Sequence, residues 1–405
     1  FLAAKWGARW DGALVAGAVM ALMPSRTVHV LQHYMVAQIG WVLLSLGFFT
    51  GYLKKRGGGL LFTGVFAFLA VMESFYHGIL LTAAAAATSV LLRERPAGVR
   101  LYRAWAAVAA GFVLAALWFI PRGGPFFTGS MTWREAVYWS AEPVSYLLPS
   151  SLGPAGRLAG LPLKYPWMPN AFEGQVSCGL AATALLVWVC LRDRRLSLAL
   201  VCLGVVILSF GPLLKVGGRA TPVPLPWMIP ARLPFFAQAR VPARLGMLLG
   251  IIAGVVAGVS FRRLRPWARW VFLAALAGEM FIPSLPLLPA PVPEACRRVS
   301  GPVLDLPADP AIRITALYQT VHGQPRLTAF LSRGGSDACE EAGLTGLGMG
   351  DSMMVTQERI RASAAETALY HRMLLTPESR ALHDSLYAPL FPGASTEDSV
   401  WVWSR

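Results

Sequence analysis

"VPARLGMLLGIIAGVVAGVSFRRLRPWAR", residues 241–269, is the stretch on which the fold turns. From Leu245 to Phe261 no side chain carries a charge, whereas Arg244 stands at one end and Arg262, Arg263, Arg265 and Arg269 crowd the other. An apolar run of about this length, roughly 20 residues, crosses a bilayer as an α-helix, because hydrocarbon offers the backbone no outside hydrogen-bond partner. Lys/Arg clusters beside such runs stay in the cytoplasm. The stretch therefore reads as a spanning helix over 245–261 whose "FRRLRPWAR" end is cytoplasmic and whose Arg244 end faces out.

Eight more apolar runs fit the same template: residues 11–24, 34–53, 58–73, 75–92, 104–120, 175–191, 196–213 and 270–288. The region 58–92 is read as two of them, because its 35 residues would reach roughly 52 Å as one helix, too long for an upright span. Cations flank it on both sides (Lys54, Lys55 and Arg56, then Arg93 and Arg95), so it must return to the face it left, turning near "MESFYHG". The basic clusters "AAKWGAR", "KKR", "RERPAGVRLYR", "LRDRR" and "FRRLRPWAR" then alternate with longer, Pro-rich, aromatic connections. Those outer segments are 24–33, 73–77, 121–174, 213–244 and everything after 288.

Composition agrees. Of 405 residues 55% are hydrophobic and 14% charged, with a mean hydropathy of +0.53; a soluble domain carries about 25% charged residues. The net charge of +15 is uneven: residues 1–288 hold 26 Lys+Arg against 8 Asp+Glu, and residues 289–405 hold 10 against 13. Cations in short clusters between apolar runs are explained by membrane topology, so no nucleic-acid partner is expected. The tail changes character after the Pro-rich "FIPSLPLLPAPVPEAC", with strand-like runs "GPVLDLP", "IRITALYQTV" and "RLTAFL", a helical stretch around 353–369, and "SVWVWSR" as a closing strand. The expected fold is mainly α: a polytopic transmembrane bundle of about nine spans, residues 1–288, with a small extracytoplasmic α/β domain, residues 289–405. Cys178, Cys190, Cys202, Cys296 and Cys339 show no metal-ligand spacing; only Cys296 and Cys339 lie in the polar tail, where an oxidising compartment would permit a disulfide. "FLAA" at the start reads as the tail of an apolar segment rather than a signal peptide, and the natural chain is expected to begin upstream of Phe1.

Several polar groups gather on the outer side. Arg240 and Arg244 either anchor a helix end at the interface or fork onto the phosphate oxygens of an anionic headgroup. Glu73, Tyr76 and His77 sit at the hairpin tip, where carboxylate and imidazole four residues apart can share a proton; a merely polar turn would look the same. His29 and His33 form a similar pair in "SRTVHVLQHY", without a third ligand nearby to suggest a metal. Glu279 lies within the last apolar run and is expected to meet an arginine or a wet cavity. The segment 121–174 carries nine aromatic residues, among them Trp133, Trp139, Tyr146 and Trp167, beside Glu135, Glu142 and Glu173, a mixture that suits either sugar rings or an interfacial belt. The glycines of "GLTGLGMG", 343–350, lack the context of a nucleotide loop.

In order and spacing, "DGALVAGAVMALMPSRTVHVLQH" (11–33), "YWSAEPVSYLLPSSLGP" (138–154), "FEGQVSCGL" (172–180), "LSFGPLLKVGG" (208–218), "PLPWMIPARLPFFAQARVPARL" (224–245), Glu279 and the 303–333 region resemble the YfhO-like bacterial multispanning proteins, placed with the GT-C membrane glycosyltransferases. That resemblance implies sugar transfer from a polyprenyl-phosphate donor to a lipid or cell-envelope acceptor on the extracytoplasmic face of the bacterial cytoplasmic membrane, with no cofactor. It makes Arg240 and Arg244 ligands of the donor phosphate and puts Glu73, His77, His29 and His33 around the neighbouring cavity. The family's acidic residue after its first helix has no counterpart here and is expected upstream of Phe1. The competing readings are a lipid carrier or flippase and an envelope assembly factor.

Overall fold

Each apolar run picked out above holds a helix in the computed structural model, although 175–191 is helical only from Leu180 and the end of 270–288 lies outside the described residues, which are 1–30, 34–55, 59–92, 96, 98–119, 133–162, 173–232, 241–280, 294–297, 299, 303–306, 367–371, 384 and 400–404. The chain divides into two compact units, Phe1–Leu285 and Pro286–Arg405. The first runs α1 (Leu2–Lys5), α2 (Trp10–Leu22), α3 (Pro24–Val30), α4 (Tyr34–Ala37), α5 (Gly40–Leu53), α6 (Leu60–Glu73), α7 (Phe75–Leu91), α8 (Gly98–Phe119), α9 (Trp133–Tyr138), α10 (Pro154–Leu158), α11 (Leu180–Arg192) and α12 (Leu196–Ser209). A two-stranded ribbon, β1 (Leu213–Val216) and β2 (Arg219–Pro224), precedes α13 (Gly246–Ser260) and α14 (Pro266–Met280). The protein is thus mainly helical.

Among the described residues, two helices are long and apolar enough to cross a membrane: Gly98–Phe119, and Pro242–Arg263, which is α13 with the short 3-10 turns at its ends. Each has 22 residues, about 33 Å, against a hydrocarbon core of roughly 30 Å. Trp10–Leu22, Gly40–Leu53, Leu60–Glu73, Phe75–Leu91, Leu180–Arg192 and Leu196–Ser209 are apolar but shorter. The two long helices differ in placement. α8 buries only the stripe Ala104, Val108, Gly111 and Ala115 and exposes Tyr102, Val113, Leu114, Leu117 and Trp118, an apolar face too large for water to favour. α13 is buried nearly all round, at the centre of the bundle.

What seats α13 there is a row of glycines four residues apart: Gly246, Gly250, Gly254 and Gly258. Positions i and i+4 stack on one helix face, and small residues at that spacing let helix backbones close up. A Cβ on Gly258 would come within 2.6 Å of the Gly12 carbonyl, and one on Gly254 within 2.7 Å of Met20 Cγ. Reciprocally, a Cβ on Gly12 would strike the Gly258 carbonyl of the opposing backbone. α2 and α13 therefore touch main chain to main chain.

The chain breaks between α6 and α7 at Ser74, which is extended (φ −160°, ψ 134°), the turn expected within "MESFYHG". Between α12 and α13, by contrast, the ribbon was not anticipated. Its turn is Gly217–Gly218, both at positive φ (60° and 82°), and Val216 faces Arg219 across it; a Gly-Gly pair of this handedness matches the twist of the strands it joins.

In the second unit, β3 (Val303–Leu306), β4 (Thr367–His371) and β5 (Val400–Ser404) form one sheet in the order β3-β4-β5. β3 and β4 are parallel, Val303 beside Thr367; β4 and β5 are antiparallel, Thr367 beside Ser404. The strands expected in "GPVLDLP" and "SVWVWSR" are present. The helix expected around 353–369 is corrected at its end: Thr367–Leu369 belong to β4, the central strand, where ladders on both sides outweigh local helix preference and Leu369 joins Cys296, Val303 and Val400 in the core. Expectations for "IRITALYQTV", "RLTAFL", "GLTGLGMG" and Cys339 lie outside the described residues.

Gly12→Ala should destabilise the bundle by about 1–3 kcal/mol, the usual penalty of overpacking, since backbone cannot yield to the new methyl. Gly17→Ala, with nothing within 4 Å of its Cβ position, should be neutral or slightly stabilising; thermal unfolding in detergent checks the contrast.

Candidate functional site

At the Arg244 end of α13, four elements bring charged groups together. The 3-10 turn Pro242–Leu245 carries Arg244, α3 carries His29, the first turn of α7 carries Tyr76 and His77, and the non-helical segment before α11 carries Glu173. That segment is held against α3 by the Ser25 amide, which donates to the Ser177 carbonyl at 3.3 Å. Glu173 is the hub. Arg244 Nε lies 3.2 Å from each of its oxygens, and Nη2 donates to Oε1. On the other side His29 Nε2 stands 3.1 Å from Oε2, while its Nδ1 donates to the Ser25 carbonyl at 2.6 Å. Both of these oxygens are acceptors, so the imidazole makes both bonds only when it carries both N–H protons.

Burial of Glu173, which is 3% exposed, would by itself raise its carboxyl; the charge of Arg244 and the hydrogen-bonded His29 outweigh this and hold it well below the ordinary carboxylate range. The Arg244 guanidinium also lies over the Tyr76 ring, 4.3 Å from its centroid, a placement that recovers part of the cost of desolvating the cation. Tyr76 Oη in turn accepts the Val241 amide at 3.1 Å and fixes the entry to α13. Among the described residues, Arg244 donates no hydrogen bond from Nη1. One edge of the fork is thus neutralised, and the other meets no acceptor among the described residues.

Next to this cluster a cavity of about 20 Å³ is lined by Tyr76, His77, Trp227 and Arg244 together with apolar side chains. His77 is buried and bonds the Val36 carbonyl through Nε2 at 3.1 Å; its Nδ1 is 3.8 Å from Glu73 Oε2, beyond hydrogen-bond reach, and neither atom has a hydrogen-bond partner among the described residues.

Of the residues singled out from sequence, Arg244 and His29 meet on one carboxylate, and His77 and Glu73 lie beside them. Arg240 and His33 fall outside the described residues. Glu173 was named only as one carboxylate of the aromatic segment; its place in "FEGQVSCGL" was the available signal. Two expectations change. Glu279, expected to face an arginine or a wet cavity, instead accepts the Ala181 amide at 3.1 Å, closing one of the open N–H groups that begin α11. Glu142, one carboxylate of the segment read as suiting either sugar rings or an interfacial belt, is buried: it accepts the Gly218 amide at 2.9 Å and lies 3.9 Å from Lys215 Nζ, fastening the ribbon to the 3-10 turn Pro143–Tyr146. Tyr146 is likewise internal, its hydroxyl 2.7 Å from Ser209 Oγ. Among the described residues no three His, Cys, Asp or Glu side chains gather as a metal-holding group. Compared with known proteins, the chain matches no family model, no curated protein and no solved structure.

Glu173→Gln should cost about 3–5 kcal/mol, the penalty for leaving a buried partner charge uncompensated. Because the folded-state carboxyl is depressed, wild-type Glu173 contributes its full stabilisation above its ordinary pKa near 4.5 and loses it as pH falls below that value. The wild-type-minus-variant difference in unfolding free energy should therefore be flat from pH 7 to about 5 and shrink on further acidification.

Proposed function

We propose that this chain is a multi-pass protein of the bacterial cytoplasmic membrane that acts as a glycosyltransferase of GT-C type. Residues 1–288 cross the membrane about nine times and residues 289–405 form an extracytoplasmic α/β domain. A sugar passes from a polyprenyl-phosphate donor to a lipid or cell-envelope acceptor on the outer face. The observation that carries this reading is Arg244: a guanidinium immobilised by Glu173 and Tyr76, with its Nη1 edge uncommitted among the described residues. Exposed apolar faces on α8 and α14 support a lipid setting.

The chemistry asked of the site is modest. An acceptor hydroxyl oxygen bonds to the anomeric carbon and gives up its proton to a base, while the bond between that carbon and the phosphate oxygen breaks and its electron pair stays on the lipid phosphate. A cation already fixed at that oxygen stabilises the growing charge without reorganising. Arg240 and Arg244 are assigned to supply that cation, Glu173, itself bonded to His29, holds Arg244, and His33, Glu73 and His77 are assigned to the acceptor. No cofactor is assigned to this step.

Donor binding tests the reading. With protein in native membranes and a radiolabelled polyprenyl-phosphate sugar, Arg240→Ala should weaken binding roughly 10- to 100-fold, the value of a charge-assisted hydrogen bond of about 1.5–3 kcal/mol, and Arg240→Lys should recover part of it. Equal affinity in wild type and both variants would reject the clamp. Sidedness is checked separately on intact cells: a membrane-impermeant thiol reagent should label Arg219→Cys, on the exposed ribbon, and spare Lys55→Cys.

A further inference from the structure

The opposite end of α13 holds a second, larger feature. A cavity of about 890 Å³ opens among α1, α5, α7, α11, α12 and α13, within the range of roughly 300–1,000 Å³ that pockets for small-molecule ligands occupy. Its walls are mostly hydrocarbon, Leu46, Ala84, Leu198, Ile251, Ile252 and Val256, with the hydroxyl residues Thr88 and Ser260 among them. Its rim is not. Lys54, Arg194, Arg195 and Arg263 line the rim against a single carboxylate, Asp193. Asp193 is claimed by Arg263 at 2.6 Å, and Arg195 Nε, 3.7 Å away, has no hydrogen-bond partner among the described residues.

Backbone geometry provides an independent sign. Only two non-glycine residues among the described ones have positive φ, Lys55 at 54° and Arg194 at 47°. Each follows the C-cap of a helix, α5 or α11, a position where glycine is the usual solution because a Cβ there is strained. Arg194 lines the rim and Lys55 adjoins it. The chain thus carries a cation at both helix ends where local stability favours glycine, and strain retained in this way marks a position kept for something other than folding. α12 also begins at this rim without a side-chain cap, adding the positive end of a helix to the field.

We propose that this cavity is a binding site for an anionic membrane lipid, with the phosphate on the Lys54–Arg194–Arg195 rim and hydrocarbon in the shaft. Apolar walls below a cationic mouth match that chemistry and no fully polar anion. Basic pockets between helices on the cytoplasmic side of membranes bind lipid phosphates in this way, and the basic clusters place this rim at the cytoplasmic face. The site is separate from Arg244 and does not rest on the glycosyltransferase reading. A glycerophospholipid and a polyprenyl phosphate share the recognised chemistry.

Native mass spectrometry of the full-length protein in detergent distinguishes the possibilities. Phosphatidylglycerol, a polyprenyl phosphate, phosphatidylcholine and inorganic phosphate are offered in separate arms. One anionic amphiphile should be retained at least tenfold better than phosphatidylcholine, and its identity selects the source. Inorganic phosphate should not be retained. Arg194→Gly should lower that retention about tenfold while thermal stability stays level or rises, an outcome that a misfolded variant cannot mimic. Val255→Phe, which projects into the shaft, should also displace the lipid. Equal retention of phosphatidylcholine, retention unaffected by Arg194→Gly, or no lipid retained at all because the chain itself fills the cavity would each overturn the proposal.

Discussion

Backbone-to-backbone contact between α2 and α13, made possible by Gly12 and Gly258, is the constraint on which the remainder depends. Leucine-sized residues on that face would hold the two helices apart by the thickness of their side chains. With glycine, the main chains meet, Met20 and Met23 pack over Gly254 and Gly250, and the helix that carries Arg244 at one end and Arg263 at the other is fixed in depth and rotation. In the lipid setting proposed above the usual gain from hiding apolar surface from water would be missing, and close packing of this type would be what remains to hold helices together. Each charged end then finds its partner from an element packed on the same core: Asp11 meets Arg262 at 2.7 Å, Asp193 meets Arg263, and Glu173 meets Arg244.

The two ends handle charge differently. At the Arg262 end the ion pairs are partly exposed and each contributes little on its own. At the Arg244 end the pair is buried, its carboxylate 3% exposed, and there the desolvation cost is offset only because both oxygens of Glu173 are used and an aromatic face covers the cation. A buried ion pair of this type is weak evidence of a contribution to net stability, since an apolar replacement often does as well. It does hold a guanidinium in one orientation, the property that the proposed phosphate contact requires and a greasy residue cannot supply.

Much of this was legible in the sequence, and the failures have physical causes. Apolar runs bounded by cations located every long helix, because composition alone sets which segments avoid water. Arg244, His29 and His77 were marked by being polar at the mouths of such runs. Glu173 was named only as one carboxylate of an aromatic segment and not as the partner of Arg244, since that contact spans 71 residues. The four-residue spacing of glycines in α13 was visible in the quoted stretch and went unread, as did the Gly217–Gly218 turn. β4 was misread because a central strand draws its stability from two neighbours remote in sequence, Val303–Leu306 and Val400–Ser404.

The shortness of α11 bears on how the bundle meets a membrane. Thirteen residues of helix rise only about 20 Å, whereas the arginines at the two ends of α13, nineteen positions apart, stand about 28 Å from each other along that helix. Yet the chain from Glu173 to Asp193 reaches both, pairing with Arg244 at its start and Arg263 at its end. The difference is made up by residues 173–179, which are non-helical and buried throughout. Buried irregular backbone needs hydrogen bonds from the protein, and here the Ser177 carbonyl accepts from the Ser25 amide and the Gly179 amide is met by Ser177 Oγ, while the Gln175 side chain bonds Ser151 Oγ. Helix length by itself therefore underestimates how far this segment reaches along α13. The same buried, extended lead-in delivers Glu173 to Arg244, so the device that compensates for a short helix is also the one that assembles the candidate site.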